Sequence, residues 1–113
     1  MLTIEVLRQF GANVDEGLER CMGDGDFYLE LIPDALVESY YKSIEDLILS
    51  NDYHQAFEVA HSLKGILSNL ALTPILEPVS EITEGLRANK EMDYSPYISD
   101  MWAKRNKLLE MIG

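Results

Sequence analysis

Apolar residues along this chain recur at three- and four-residue intervals, and no stretch alternates apolar with polar over the length of a strand. The pattern predicts helices throughout. Thr3 can cap a short first helix carrying Ile4, Leu7 and Phe10, with Gly11 as its stop. Asn13, followed three residues later by Glu16, is a capping-box variant that starts a second short helix through Leu18, Cys21 and Met22, ending at Gly23. Asp24-Gly25-Asp26 predicts a turn, and Asp26 is the expected cap of a long third helix from Phe27 to about Leu49. Leu29, Ile32, Leu36, Tyr40, Ile44 and Leu47 keep helical spacing along it, and Pro33 should kink it or delay its true start.

Ser50-Asn51-Asp52 is the next break, with Asn51 or Asp52 capping a fourth helix from about Tyr53 to Leu70. Thr73-Pro74 repeats a start signal, cap then proline, for a fifth helix with Ile75, Val79, Ile82 and Leu86 on one face. Pro78 leaves its start anywhere between Pro74 and Pro78. A loop is expected from Asn89 to Asp93. Ser95-Pro96 then opens a last helix through Ile98, Met101, Leu108 and Ile112. Four helices of roughly 15 to 23 residues with short connections predict an all-α, antiparallel up-and-down four-helix bundle, one end covered by the two short N-terminal helices.

The fourth helix differs from the others. At about 100° per residue, Ala56, Ala60, Leu63, Leu67 and Leu70 fall within roughly 80° of one another and form a buried stripe. His61 points roughly 140° away from the middle of that stripe. Lys64, Gly65 and Ser68 stand at i+3, i+4 and i+7 from it and share its face. A surface His with a Lys one turn on is ordinary. Gly65 is less so, because Gly in a helix interior costs about 0.5–1 kcal/mol relative to Ala. A helix keeps such a Gly by chance, or because something must approach its backbone closely. His54 lies two turns earlier on the same side, but has Phe57 at i+3 and Glu58 at i+4, so a structural or rim role is expected for it. Phe57 itself fits either an exposed apolar patch beside His61 or a closure of the bundle edge.

Composition narrows the function. A chain of 113 residues predicts one domain spanning residues 1–113, and a hydrophobic fraction of 47% is enough for its core. The net charge of −11 argues against nucleic acid and against an anionic membrane surface. One cysteine, Cys21, allows no internal disulfide and fits a reducing compartment. Two histidines and one cysteine at these positions give no metal-ligand spacing, and no cofactor is expected. The start, Met1-Leu2-Thr3-Ile4-Glu5, lacks a basic segment leading into an apolar run, and no run approaches membrane-spanning length. These features predict a cytoplasmic, monomeric protein.

The stretch Ala60-His61-Ser62-Leu63-Lys64-Gly65, followed by Leu70-Ala71, resembles the signature of histidine-containing phosphotransfer (HPt) domains. That signature runs Ala-His-x-Leu-Lys-Gly, four variable residues, an apolar residue and Gly. Ala71 stands where Gly is usual, a difference in helix exit and not in chemistry. The motif covers about a dozen residues, and the helical layout agrees with the family over nearly the whole chain. The resemblance implies a phosphocarrier of two-component signalling. It would accept a phosphoryl group on His61 and exchange it with the Asp of response-regulator receiver domains, upstream of which stands a sensor histidine kinase.

A neutral imidazole is the form that attacks phosphorus, and an ordinary exposed His is mostly neutral near pH 7. Lys64 can set its ammonium against the phosphoryl oxygens, while Phe57, Gly65 and Ser68 would form the docking face. Mg²⁺ and its acidic ligands would come from the receiver. With no Gly-rich phosphate loop, the chain should be unable to take phosphate from ATP itself. The alternative is a helical adaptor that binds receiver or kinase domains and is never phosphorylated. Lys64 and Gly65 together favour the carrier, since an adaptor needs no cation. An enzyme using His61 as general base lacks any second catalytic group.

Overall fold

In the computed structural model, which describes all 113 residues, the chain forms seven α-helices and one 3-10 turn, with no strand. The helices are α1 (Ile4–Phe10), α2 (Val14–Arg20), α3 (Gly25–Leu31), α4 (Glu38–Leu49), α5 (Tyr53–Asn69), α6 (Thr73–Arg87) and α7 (Ser95–Ile112), with the 3-10 turn at Ile32–Leu36. Several starts follow the expected chemistry. Thr3 Oγ accepts from the Val6 amide at 3.1 Å, and Asp52 Oδ1 from the Gln55 amide at 3.3 Å. The first half of the capping box forms, and the return contact runs between the two side chains. The Glu16 amide donates to Asn13 Oδ1 at 3.4 Å, and Asn13 Nδ2 donates back to Glu16 Oε2 at 3.2 Å. Gly11 ends α1 at φ +103°, a left-handed conformation that favours glycine.

The long third helix of the sequence reading does not form. α3 starts a residue or two earlier than expected, because Asp24 and not Asp26 receives the Phe27 amide, at 3.1 Å. The chain then tightens into the 3-10 turn around Pro33, Val37 turns extended (ψ +117°), and α4 begins at Glu38 with only 12 residues. Pro33 thus splits the helix instead of bending it. The break also resets the phase of the buried face. Tyr40 and Leu47 were expected inside, but Tyr41 and Ile48 are the buried pair, with Ile44 common to both registers. Two other caps differ. Leu72 occupies the cap position of α6, so Thr73 and Pro74 lie in its first turn, and the helix runs on through Pro78. Tyr94 precedes α7, whose first amide, that of Ser95, is taken by Asp93 Oδ1 at 2.9 Å.

α5 carries the stripe singled out above. It packs between α4 and α6; α7 lies against α6 and also touches α4 and α1. The predicted stripe is what it buries: Ala56, Ala60, Leu63, Leu67 and Leu70 are all inside. Their neighbours there include Tyr41, Ile44, Ile75, Ile82 and Met101, each fully buried. No buried side-chain polar atom lacks a partner. The Thr83 hydroxyl, for example, donates to the Val79 carbonyl one turn back at 2.7 Å.

The short N-terminal helices are tied to the far end of α5. The Asn13 amide donates to the Ala71 carbonyl at 3.0 Å, and the Tyr28 hydroxyl donates to the Leu70 carbonyl at 2.8 Å from a fully buried ring. That burial pushes the Tyr28 phenol up to about 12. Ala71 itself is left-handed (φ +53°) and buried, at the position where the resembled motif carries Gly. A left-handed Ala costs roughly 1–2 kcal/mol. Its buried methyl offsets about 0.8 kcal/mol of that.

Gly17 is required by the same contact. A Cβ there would lie 2.5 Å from Tyr28 Cζ and 2.6 Å from its hydroxyl oxygen. The ring cannot retreat without breaking its bond to Leu70. Gly17→Ala should therefore destabilise the protein by about 1–3 kcal/mol, as overpacked cores do, when urea unfolding of the two chains is compared. Equal midpoints would mean that the Tyr28 ring is free to move.

Candidate functional site

The face opposite the buried stripe of α5 carries the residues singled out above. His61 and Gly65 are exposed, while Phe57, Lys64 and Ser68 are half-buried at its margins. They occupy one rigid helix whose other side is locked into the core, so their relative positions are set by helix geometry. A Cβ built on Gly65 meets nothing within 4 Å, and the backbone one turn beyond His61 is open. Ser68 lies about two turns beyond His61 along the same face. His54 is exposed and stands with Tyr53, Phe57, Leu86, Arg87 and Asn89 around a shallow hollow at the start of the helix.

Two interactions on this face cross from α5 to α6. The Phe57 ring stacks nearly parallel on the His61 imidazole, at 5.5 Å between centroids and 12° between planes. The Arg87 guanidinium lies over the Phe57 ring, 5.0 Å from its centroid. Phe57, half-buried beneath Arg87, thus flanks His61 and closes the α5–α6 seam. The second interaction is ionic. Lys64 Nζ donates to Glu84 Oε1 at 2.8 Å, and Arg87 Nε donates to Glu84 Oε2 at 2.9 Å. One carboxylate therefore bridges two cations, and the hydrogen bonds from Lys64 and then Arg87 hold Glu84 below the usual carboxylate range.

Sequence reasoning singled out neither Glu84 nor Arg87. Their i, i+3 spacing on α6 was a visible pairing signal, but nothing local shows that the pair faces Lys64, twenty residues earlier. It also missed a groove of about 360 Å³ on the opposite flank of α5, where Ile66, Asn69 and Leu70 face Leu31, Asp34, Val37 and Tyr40. Val37 and Tyr40 are exposed there as a consequence of the break at Pro33. Taken across α5, the order is the ionic cluster, then the open strip of His61 and Gly65, then the apolar groove.

Chemically, the strip offers an accessible imidazole, cations anchored one helix away, and unobstructed backbone. No three His, Cys, Asp or Glu side chains come together as a metal site would need, and no helix is long and apolar enough to cross a membrane. The open surroundings of Gly65 make its energetic effect separable from any function. Gly65→Ala should raise stability by about 0.5–1 kcal/mol in thermal or urea unfolding, the ordinary gain for a helix-interior site with room for a methyl. A loss of stability would mean that the backbone there departs from regular helix.

Compared with known proteins, the chain matches no protein-family model, no curated protein and no solved structure.

Proposed function

We propose that this chain is a histidine phosphocarrier of the HPt type. Its four longer helices, α4 to α7, would pack as an antiparallel up-and-down bundle, and His61 would exchange a phosphoryl group with the Asp of receiver domains. The observation that carries the reading is the exposed His61 on α5, with Lys64 at i+3 and an unobstructed Gly65 at i+4. Phosphoryl transfer asks chiefly for an in-line approach and for charge stabilisation. An exposed imidazole allows the first, and a lysine one turn away supplies part of the second.

The covalent step is simple. The unprotonated imidazole nitrogen of His61 attacks phosphorus, and the bond to the receiver's Asp oxygen breaks with its electron pair left on the carboxylate. The proton on the other ring nitrogen stays in place, leaving a phosphoimidazolium. Nothing on this chain must take up a proton. The bare backbone at Gly65 and the apolar groove beside it offer a receiver a close approach over α5, with Phe57 and Ser68 at the rim. In this reading the protein is not an ATP-dependent kinase, and it would act in the cytosol between a sensor kinase and receivers.

One observation favours the adaptor reading instead. Lys64, the cation a carrier needs, is already held by Glu84. The two readings separate on transfer. Incubated with a panel of phosphorylated receiver domains, the protein should gain an acid-labile, base-stable label, absent in His61→Gln and present in His54→Gln. Label that survives His61→Gln, or no transfer from any receiver, overturns the assignment. Lys64→Ala should slow transfer by about tenfold without abolishing it, since one charge-assisted contact of roughly 1.5 kcal/mol is lost and the nucleophile remains. Gly65→Gln should also slow it, because its side chain would project back over the turn that carries His61.

A further inference from the structure

Glu84 holds two cations near His61: Lys64, one turn on along α5, and Arg87, which lies over the Phe57 ring that stacks on the imidazole. The five side chains form a chain of contacts: His61 on Phe57, Phe57 under Arg87, Arg87 to Glu84, and Glu84 to Lys64, which stands at i+3 from His61. None of the three charged groups is committed to the core. The side chains of Glu84 and Arg87 are about half exposed, 50% and 51%, and that of Lys64 is 29% exposed. Ion pairs of this kind contribute little to stability and rearrange without repacking.

A phosphoryl group on His61 would change the balance at this cluster. It brings a charge of about −1.5 to −2 and three strong acceptor oxygens, against one unit on a carboxylate. Arg and Lys bind such oxygens by the same charge-assisted hydrogen bonds they give a carboxylate, here to a group of higher charge and with more acceptors. We propose that Glu84 is a displaceable counter-ion: it parks Lys64 and Arg87 near His61 at rest and releases both to the phosphoryl oxygens when His61 is phosphorylated. Glu84 is then a positioning residue that competes with the phosphoryl group, and Arg87 is a second phosphoryl-binding cation supplied by α6. The inference rests on His61 being the phosphoryl acceptor. It also removes the conflict noted above, since the Lys64–Glu84 pair becomes the resting state of a carrier.

The test needs no receiver. Phosphoramidate can donate directly: the free imidazole nitrogen takes the phosphoryl group, the donor's N–P bond breaks, and ammonia leaves. In a His54→Gln background, His61 is the single histidine. There Glu84→Gln should raise the initial labelling rate about threefold, the scale of one weak exposed ion pair. Arg87→Ala should lower it about tenfold, the scale of one hydrogen bond to a charged group, with Arg87→Lys in between. A purely structural pair would not move a second readout, the Nε–H signal of Arg87 in nitrogen-resolved NMR. That signal should shift when His61 is phosphorylated, as the guanidinium changes partner. An Arg87 signal that stays in place, or a labelling rate unchanged in Glu84→Gln or in Arg87→Ala, overturns the counter-ion role. If the cations respond but no receiver exchanges phosphate with His61, the carrier reading fails and the counter-ion role stands. A His61 that takes no label from phosphoramidate in any variant sinks both.

Discussion

The structure depends on the seating of α5. Ala56, Ala60, Leu63, Leu67 and Leu70 are all buried where α5 packs between α4 and α6. Burying an apolar stripe along one side of a helix necessarily presents the other side. The core therefore does more than stabilise α5. It fixes the rotation of the helix about its axis, and that rotation turns His61 and Gly65 outward while Phe57, Lys64 and Ser68 fall at the margins. A rotation of one residue, about 100°, would carry the imidazole toward a neighbouring helix.

The end of α5 matters as much as its middle. Leu70 and Ala71 offer carbonyls to Tyr28 and Asn13, so the three short leading helices anchor where α5 stops. Gly17 makes that possible by leaving room for the Tyr28 ring. On the α6 side, Phe57, Glu84 and Arg87 tie the seam with stacking and charge, interactions weak enough to be exchanged for a ligand. The site thus sits between a rigid boundary below and a more exposed, weakly held one beside it, as the proposed transfer on His61 would require.

Much of this was legible from local chemistry. Thr3, Gly11, the Asn13–Glu16 box and Asp52 act within three or four residues of themselves, so their roles follow from short-range geometry. The stripe of α5 was readable because five apolar positions agree on one direction, and the outward direction of His61 follows from it. The stretch from Phe27 to Leu49 was misread for a related reason. Its apolar residues are dense enough to fit two phases, Tyr40 with Leu47 or Tyr41 with Ile48, and only the break at Pro33 and Val37 selects the second.

The sequence by itself determined the helical class, the positions of most breaks, and the grouping of His61, Lys64, Gly65 and Ser68 on one face, because each depends on spacing along a single helix. The tertiary structure decided who meets that face. Glu84 stands 20 residues from Lys64, and Val37 and Tyr40 come to Ile66 across some thirty positions. Contacts of that range depend on how helices are packed and phased against one another, which the periodicity of any one helix does not encode. The ionic cluster on one flank of His61 and the apolar groove on the other are for that reason properties of the folded chain alone.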